Sequence, residues 1–188
     1  YMAQASRFVK ENGLSLHLDG ARVFNAAVAL GVDVSEIASH VDSVSICCSK
    51  GLGAPVGSLL CGTAEFIDSS RRWRKMAGGG LRQSGILAAA IDYALDNNVD
   101  RLQVDHANAK RLADSLAKID QIDVLSNQTN MVFIGLPSRE MGEQFADSAA
   151  EQGVKVIGGQ RMRLVTHLDI DEEDIAKVIA SFRAFFAA

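Results

Sequence analysis

Three side chains stand where chemistry is possible. Asp19 and Arg22 lie in His17-Leu18-Asp19-Gly20-Ala21-Arg22, and Lys50, 31 residues beyond Asp19, lies in Ser49-Lys50-Gly51-Leu52-Gly53-Ala54-Pro55. A lysine amine can add to an aldehyde carbon, and a carboxylate can hold a proton on a ring nitrogen. One cofactor uses both: pyridoxal phosphate, whose aldehyde a lysine holds and whose protonated ring accepts the charge left when a bond to a substrate α-carbon breaks. Taken alone the pattern stays open, because a lysine ahead of glycines also occurs in ordinary solvated turns. A P-loop is ruled out, since it carries glycine ahead of its lysine (G-x-x-x-x-G-K-[ST]) whereas Ser49 precedes Lys50. Asp19 reads either as the ring partner or as a cap for the helix that follows.

Two further arginines sit in suggestive settings. Arg82 follows the run Gly78-Gly79-Gly80-Leu81, where missing side chains let a backbone approach a ligand or simply make a hinge. Arg163, in Arg163-Leu164-Val165-Thr166-His167, is either a ligand for a carboxylate, which a planar fork can grip with two parallel hydrogen bonds, or a solvent-facing strand residue between Met162 and Leu164. His17 shares a strand face with Asp19 but reads more simply as a hydrogen-bonded strand residue. His40, His106 and His167 receive no catalytic role. Cys47 and Cys48 read as buried small residues rather than nucleophiles, and with Cys61 they have neither zinc-site nor disulfide-framework spacing, so no metal is expected.

The elements that must position these residues follow from periodicity. Helical spacing of Met2, Ala5, Phe8 and Val9 predicts a helix over 1–11, stopped at Gly13; 14–19 alternates as a strand, and a helix over 22–30 closes at Gly31. A short helix follows over 32–40 with Ser35 as cap, then a strand of buried composition over 42–48 leading straight into Lys50. A strand over 57–61, a helix over 64–75 carrying the basic cluster Arg71-Arg72-Trp73-Arg74-Lys75, and helices over 84–96 and 99–117 come next. The alternation argues for an α/β layer with a largely buried sheet. Beyond residue 105 the pattern changes to short strands over 122–125, 130–135, 154–157 and 163–166, with helices over 139–152 and 172–186, the last capped by Asp171: an α+β lobe. The expected division is therefore 1–104 and 105–188.

Composition narrows the function classes. Nineteen basic against twenty-three acidic residues and one short basic cluster make a nucleic-acid partner unexpected. No apolar run is long enough for a membrane span and no secretory leader is visible, so a cytoplasmic protein is expected, which suits three unpaired cysteines. Tyr1 opens a helix already under way, so a preceding part is expected to be missing.

The four ordered motifs His17-Leu18-Asp19-Gly20-Ala21-Arg22, Ser49-Lys50-Gly51-Leu52-Gly53-Ala54-Pro55-Val56-Gly57-Ser58, Gly78-Gly79-Gly80-Leu81-Arg82-Gln83 and Arg163-Leu164-Val165-Thr166-His167 span nearly the whole chain and resemble the low-specificity threonine aldolase family. The resemblance implies the aspartate-aminotransferase-like, fold-type-I architecture: here the later part of a large domain and all of a small C-terminal domain. It implies pyridoxal phosphate as cofactor and cleavage of L-threonine or L-allo-threonine to glycine and an aldehyde. Lys50 is then the cofactor lysine, Asp19 the ring-nitrogen partner, Arg22 and Arg163 the substrate-carboxylate pair, and Arg82 a phosphate ligand that reaches the neighbouring subunit of a homodimer or homotetramer. A β-eliminating lyase or aminotransferase of the same fold type, or an inactive fragment that needs its N-terminal part, is the alternative.

Overall fold

The computed structural model describes residues 1–187 and divides into two compact units, Tyr1–Asp100 and the remainder from Arg101 onward. In the first, α1 (Met2–Glu11) leads through Gly13, at φ 65°, into β1 (His17–Gly20). Next come α2 (Val23–Leu30), α3 (Val34–Ala38), β2 (Ser43–Cys47), β3 (Ser58–Gly62), α4 (Ala64–Met76) and α5 (Gly85–Asn98). Gly31, left-handed at φ 67°, ends α2 where a side chain would be strained. The cap of α3 is Asp33, whose carboxylate accepts from the Ser35 backbone N–H at 2.8 Å; the expected cap, Ser35, is the residue being capped. Thr63 caps α4, and Arg74 and Lys75 in its last turn complement the helix dipole.

β1 and β2 pair in parallel and β3 joins β2 antiparallel, in the order β1-β2-β3. The parallel register sets Asp19 opposite Ser45 and Gly20 opposite Ile46. The expected buried sheet is only partly realised: Ser43 and Val44 are buried, but every residue of β3 except Leu59 is exposed. Val23, Ala27, Val44, Cys48, Leu52, Ala54, Ile91 and Ala94 form the apolar interior, while Val56, Leu60, Phe66, Trp73, Ile86 and Tyr93 stay exposed.

The second unit contains α6 (Leu102–Leu116), β4 (Asp123–Gln128), β5 (Met131–Gly135), α7 (Arg139–Glu151), β6 (Arg161–Val165) and α8 (Glu172–Ala187). Its sheet is antiparallel in the order β4-β5-β6. Val132, Ile134, Met162 and Leu164 alternate inward against α6, α7 and α8, where Phe145 and Phe182 stack at 3.9 Å between centroids. Asp171 caps α8 by accepting from the Glu173 and Asp174 amides at 2.8 and 2.9 Å. Residues 154–157, expected as a strand, belong to none: Val154 and Val156 turn inward and Lys155 and Ile157 outward as in a strand, yet no ladder forms. Among the described residues no helix is long and apolar enough to cross a membrane.

Glycine sets the closest backbone approach in this unit. A Cβ on Gly142 of α7 would run into the Gly159 carbonyl oxygen, and one on Gly158 would lie 2.6 Å from the Gly142 oxygen and 2.9 Å from the Glu143 Cα. Neither contact can relax without moving backbone. Gly142→Ala is therefore expected to lower the unfolding free energy by about 1–3 kcal/mol. Gly85→Ala, at a helix start with nothing within 4 Å, should instead be neutral or gain up to about 1 kcal/mol. Urea denaturation of both variants checks the contrast.

Candidate functional site

Because β1 and β2 run in parallel, their carboxyl ends emerge on one edge, the position at which open α/β sheets bind ligands. β1 delivers Asp19, Gly20, Ala21 and Arg22 there, and β2 delivers Cys47, Cys48, Ser49 and Lys50. Gly20 is buried so closely that a Cβ would lie 2.8 Å from Val44 Cγ2 and 2.9 Å from the Ser45 oxygen. The chain can therefore turn from Asp19 to Arg22 only with glycine between them. The Asp19 carboxylate accepts from the Ala21 amide at 3.1 Å, a side-chain turn, while the cap position of α2 falls to Arg22, so Asp19 does not cap that helix.

Lys50 is exposed at the start of a compact loop. The Gly53 amide donates to the Lys50 carbonyl at 2.9 Å, Ala54 to the Cys48 carbonyl at 3.0 Å, and Cys48 to the Gly57 carbonyl at 3.1 Å. Gly53 and Gly57 take φ 76° and 121°, which the loop requires. Buried Leu52 pins it from below, and Asn98 at the end of α5 donates to the Leu52 carbonyl at 2.7 Å. Between the two strand ends lies a small cleft lined by Arg22, Phe24, Asn25, Ile46, Cys47 and Gly51.

Asp19, Arg22 and Lys50 thus share one edge. Arg82 does not line that cleft: it is exposed on the loop between α4 and α5, next to Gln83, which has φ 53°. The preceding glycines serve the helix end, since Gly78 is left-handed at φ 86° and the Gly79 amide donates to the Arg74 carbonyl at 2.8 Å. Arg163 lies in the second unit, on the exposed face of β6. His17 accepts or donates a hydrogen bond at 2.9 Å with the Ser43 hydroxyl, tying β1 to β2 at the rung away from the edge.

The two adjacent cysteines differ, which composition did not reveal. Cys48 is fully buried, and burial pushes its thiol up, helped by the neighbouring thiols of Cys47 and Cys61. Cys47 is only half-buried, contrary to its expected reading. Burial pushes its thiol up too, but hydrogen bonding with Ser49 and Ser58 and the Lys50 ammonium together outweigh that, leaving it below the ordinary thiol value. Period-2 alternation was the available signal: successive strand residues face opposite ways.

A family model described as beta-eliminating lyase matches residues 1–139. Over its whole length the chain is 49% identical to the low specificity L-threonine aldolase of Escherichia coli K12, covering 56% of that protein. It is 40% identical to low-specificity L-threonine aldolase 1 of Arabidopsis thaliana, with 97% of this chain and 53% of that one aligned. The chain thus spans about half the length of the curated relatives it matches. A crystal structure from Exiguobacterium sp. 255-15 superposes with a TM-score of 0.83 at 24% identity over 98% of this chain and 56% of that one. The threonine aldolase of Leishmania major gives 0.79 at 22%, over 98% and 56%. These likenesses identify the fold as the aspartate-aminotransferase-like fold type I, represented here in part.

The Cys47 environment makes a prediction about Lys50. Alkylation of Cys47 followed by mass spectrometry across a pH series should show a midpoint below the ordinary thiol value, because the thiolate is the reacting form. Lys50→Ala removes one of the groups holding it down, so the midpoint should move up. An unmoved midpoint would mean that the ammonium does not face the thiol.

Proposed function

The chain belongs to the beta-eliminating lyase family, and on that premise we propose that it is the lysine-bearing part of a pyridoxal-phosphate-dependent aldolase that cleaves L-threonine or L-allo-threonine to glycine and an aldehyde. The observation that carries this reading is the delivery of Asp19 and Lys50 to one edge of a parallel strand pair. The names of the relatives from Escherichia coli and Arabidopsis thaliana support the substrate.

The residues present fit the cofactor. An exposed carboxylate and an exposed primary amine stand at neighbouring strand ends, and Gly20 lies flush against β2 between them. When bound, pyridoxal phosphate supplies an electron sink for the charge left as the Cα–Cβ bond opens. Asp19 would hold a proton on the ring nitrogen, its own orientation set by the Ala21 amide. Lys50 would hold the cofactor's aldehyde carbon through Nζ, and as a primary amine it would also be able to accept or return a proton. Arg22 and Arg163 would grip the substrate carboxylate with forked hydrogen bonds, and Arg82 would reach the phosphate in a neighbouring subunit. A homodimer or homotetramer working in the cytoplasm is part of the proposal.

The family name also favours a second reading, β-elimination on the same cofactor. Product analysis separates the two, since only the aldolase releases glycine together with an aldehyde.

Absorbance with added pyridoxal phosphate tests the core of the reading: a visible band in the parent that is absent from Lys50→Ala. The chain alone should bind the cofactor weakly, and supplying the remaining part of a full-length relative should strengthen both binding and turnover. A chain fully active by itself would contradict the divided site. In the complemented enzyme, Arg163→Lys should raise KM roughly 10- to 100-fold, the equivalent of about 1.5–3 kcal/mol for a charge-assisted hydrogen bond.

A further inference from the structure

Asn97 and Asn98 end α5 side by side, yet their side chains do different things. Asn97 is exposed and donates to the Tyr93 carbonyl at 2.8 Å, a bond within its own helix. Asn98 is half-buried and reaches back 46 residues to donate to the Leu52 carbonyl at 2.7 Å, in the loop that carries Lys50. Ile91 and Ala94, seven and four residues earlier, are buried on the same face of α5. That face also meets the far end of the loop, where a Cβ on Gly57 would lie 3.0 Å from Ile91 Cδ1.

The bond matters because of the peptide it holds. Leu52 and Gly53 share one planar trans peptide, whose C=O and N–H point in opposite directions. The C=O accepts from Asn98, and the N–H donates to the Lys50 carbonyl at 2.9 Å, closing the turn Lys50-Gly51-Leu52-Gly53. The plane is thus held on both sides, and rotating it would break the bond to Lys50. Gly51 and Gly53, the latter at φ 76°, give this turn little stiffness of its own. The buried Leu52 side chain fixes where the turn sits, and Asn98 fixes how the peptide is rotated.

We propose that Asn98 is a positioning residue for Lys50: through the Leu52–Gly53 peptide it fixes the turn from which the lysine projects, so that the amine is presented at the β1–β2 edge. The proposal rests on the reading of Lys50 as the cofactor lysine. A lysine stem is flexible, so the backbone is the part of an exposed lysine that the fold can hold. Cys47 reports where the amine lies even without the cofactor. Burial pushes its thiol up, while hydrogen bonding with Ser49 and Ser58 and the Lys50 ammonium hold it down.

Two readouts on the full chain test this, the first without cofactor. In Asn98→Ala the alkylation midpoint of Cys47 should rise, as in Lys50→Ala, because the ammonium is no longer kept near the thiol. In a Lys50→Ala background the same substitution should leave the midpoint where it is. Loosening of the loop alone would expose the thiol and lower the midpoint instead. In the second readout, pyridoxal phosphate is fixed by borohydride reduction, and peptide mapping should show Lys50 labelled in preference to exposed Lys10. Asn98→Ala should cut that preference roughly two- to tenfold, the range expected for one hydrogen bond. Asn98→Leu, which keeps the shape without the donor, should match Asn98→Ala, and Asn97→Ala should match the parent, all with unchanged circular dichroism spectra. A midpoint that stays or falls in Asn98→Ala, a rise that persists in the Lys50→Ala background, or a labelling preference that Asn98→Ala leaves intact would overturn the proposal. Lys50 labelled no better than Lys10 in the parent, with the midpoint still responding to Asn98→Ala, would overturn the cofactor reading and leave the clamp on the turn standing.

Discussion

Parallel pairing of β1 with β2 is the contact on which the rest of the first unit depends, and Gly20 is where it is tightest. With Val44 Cγ2 and the Ser45 oxygen both within 3 Å of the position a Cβ would take, no other residue can end β1 and still turn at once into α2. The same pairing decides what meets on the edge. A parallel ladder brings two carboxyl ends to one edge, so Asp19 and the loop that carries Lys50 leave the sheet on the same side through register rather than through any contact between their side chains. An antiparallel pairing of the same strands would have put them at opposite ends.

In the second unit a buried polar cluster does the corresponding work. Asp105, fully buried, takes both terminal nitrogens of Arg101 at 3.0 and 2.8 Å. Thr166, next after β6, donates to the Asp105 carbonyl at 2.7 Å, and Asn130 donates to the Thr166 carbonyl at 2.8 Å. Each of these groups would be costly to bury alone. Together they tie the start of α6 and the start of β5 to the end of β6, so the strand that presents Arg161 and Arg163 is held at its far end by hydrogen bonds and along its length by Met162 and Leu164.

How much of this was legible in the sequence depends on the range of the interaction. Helices such as α2 and α8 announce themselves locally, through apolar spacing, Gly31 and Asp171, and the structure has them within a residue or so. Residues 154–157 have strand composition and even strand-like alternation, but a strand exists only if a partner edge is within hydrogen-bonding reach, and composition carries no information about that. Asp33 outranks Ser35 as a cap for a geometric reason, since its extended backbone aims the carboxylate at the first free N–H groups. The spacing from Asp19 to Lys50 was readable as chemistry, but the parallel register that joins the two ends was not. Likewise the glycine run before Arg82 reads equally as room for a ligand or as a hinge, and only the structure shows that two of its members close the end of α4.

The residues with chemical potential are also the least protected. Asp19, Lys50, Arg82 and Arg163 are all exposed, while the groups that hold their backbones, Gly20, Leu52, Met162 and Leu164, are buried. Exposure matters because a charge interaction in water is worth only about 0–1 kcal/mol and gains strength as water is excluded. In the first unit, buried Gly20 and Leu52 beneath exposed Asp19 and Lys50 therefore set the geometry of the β1–β2 edge, while the strength of any charge interaction there depends on what covers it. That division is consistent with a chain that spans about half of its relatives' length, and it places the control of affinity in whatever excludes water from the β1–β2 edge.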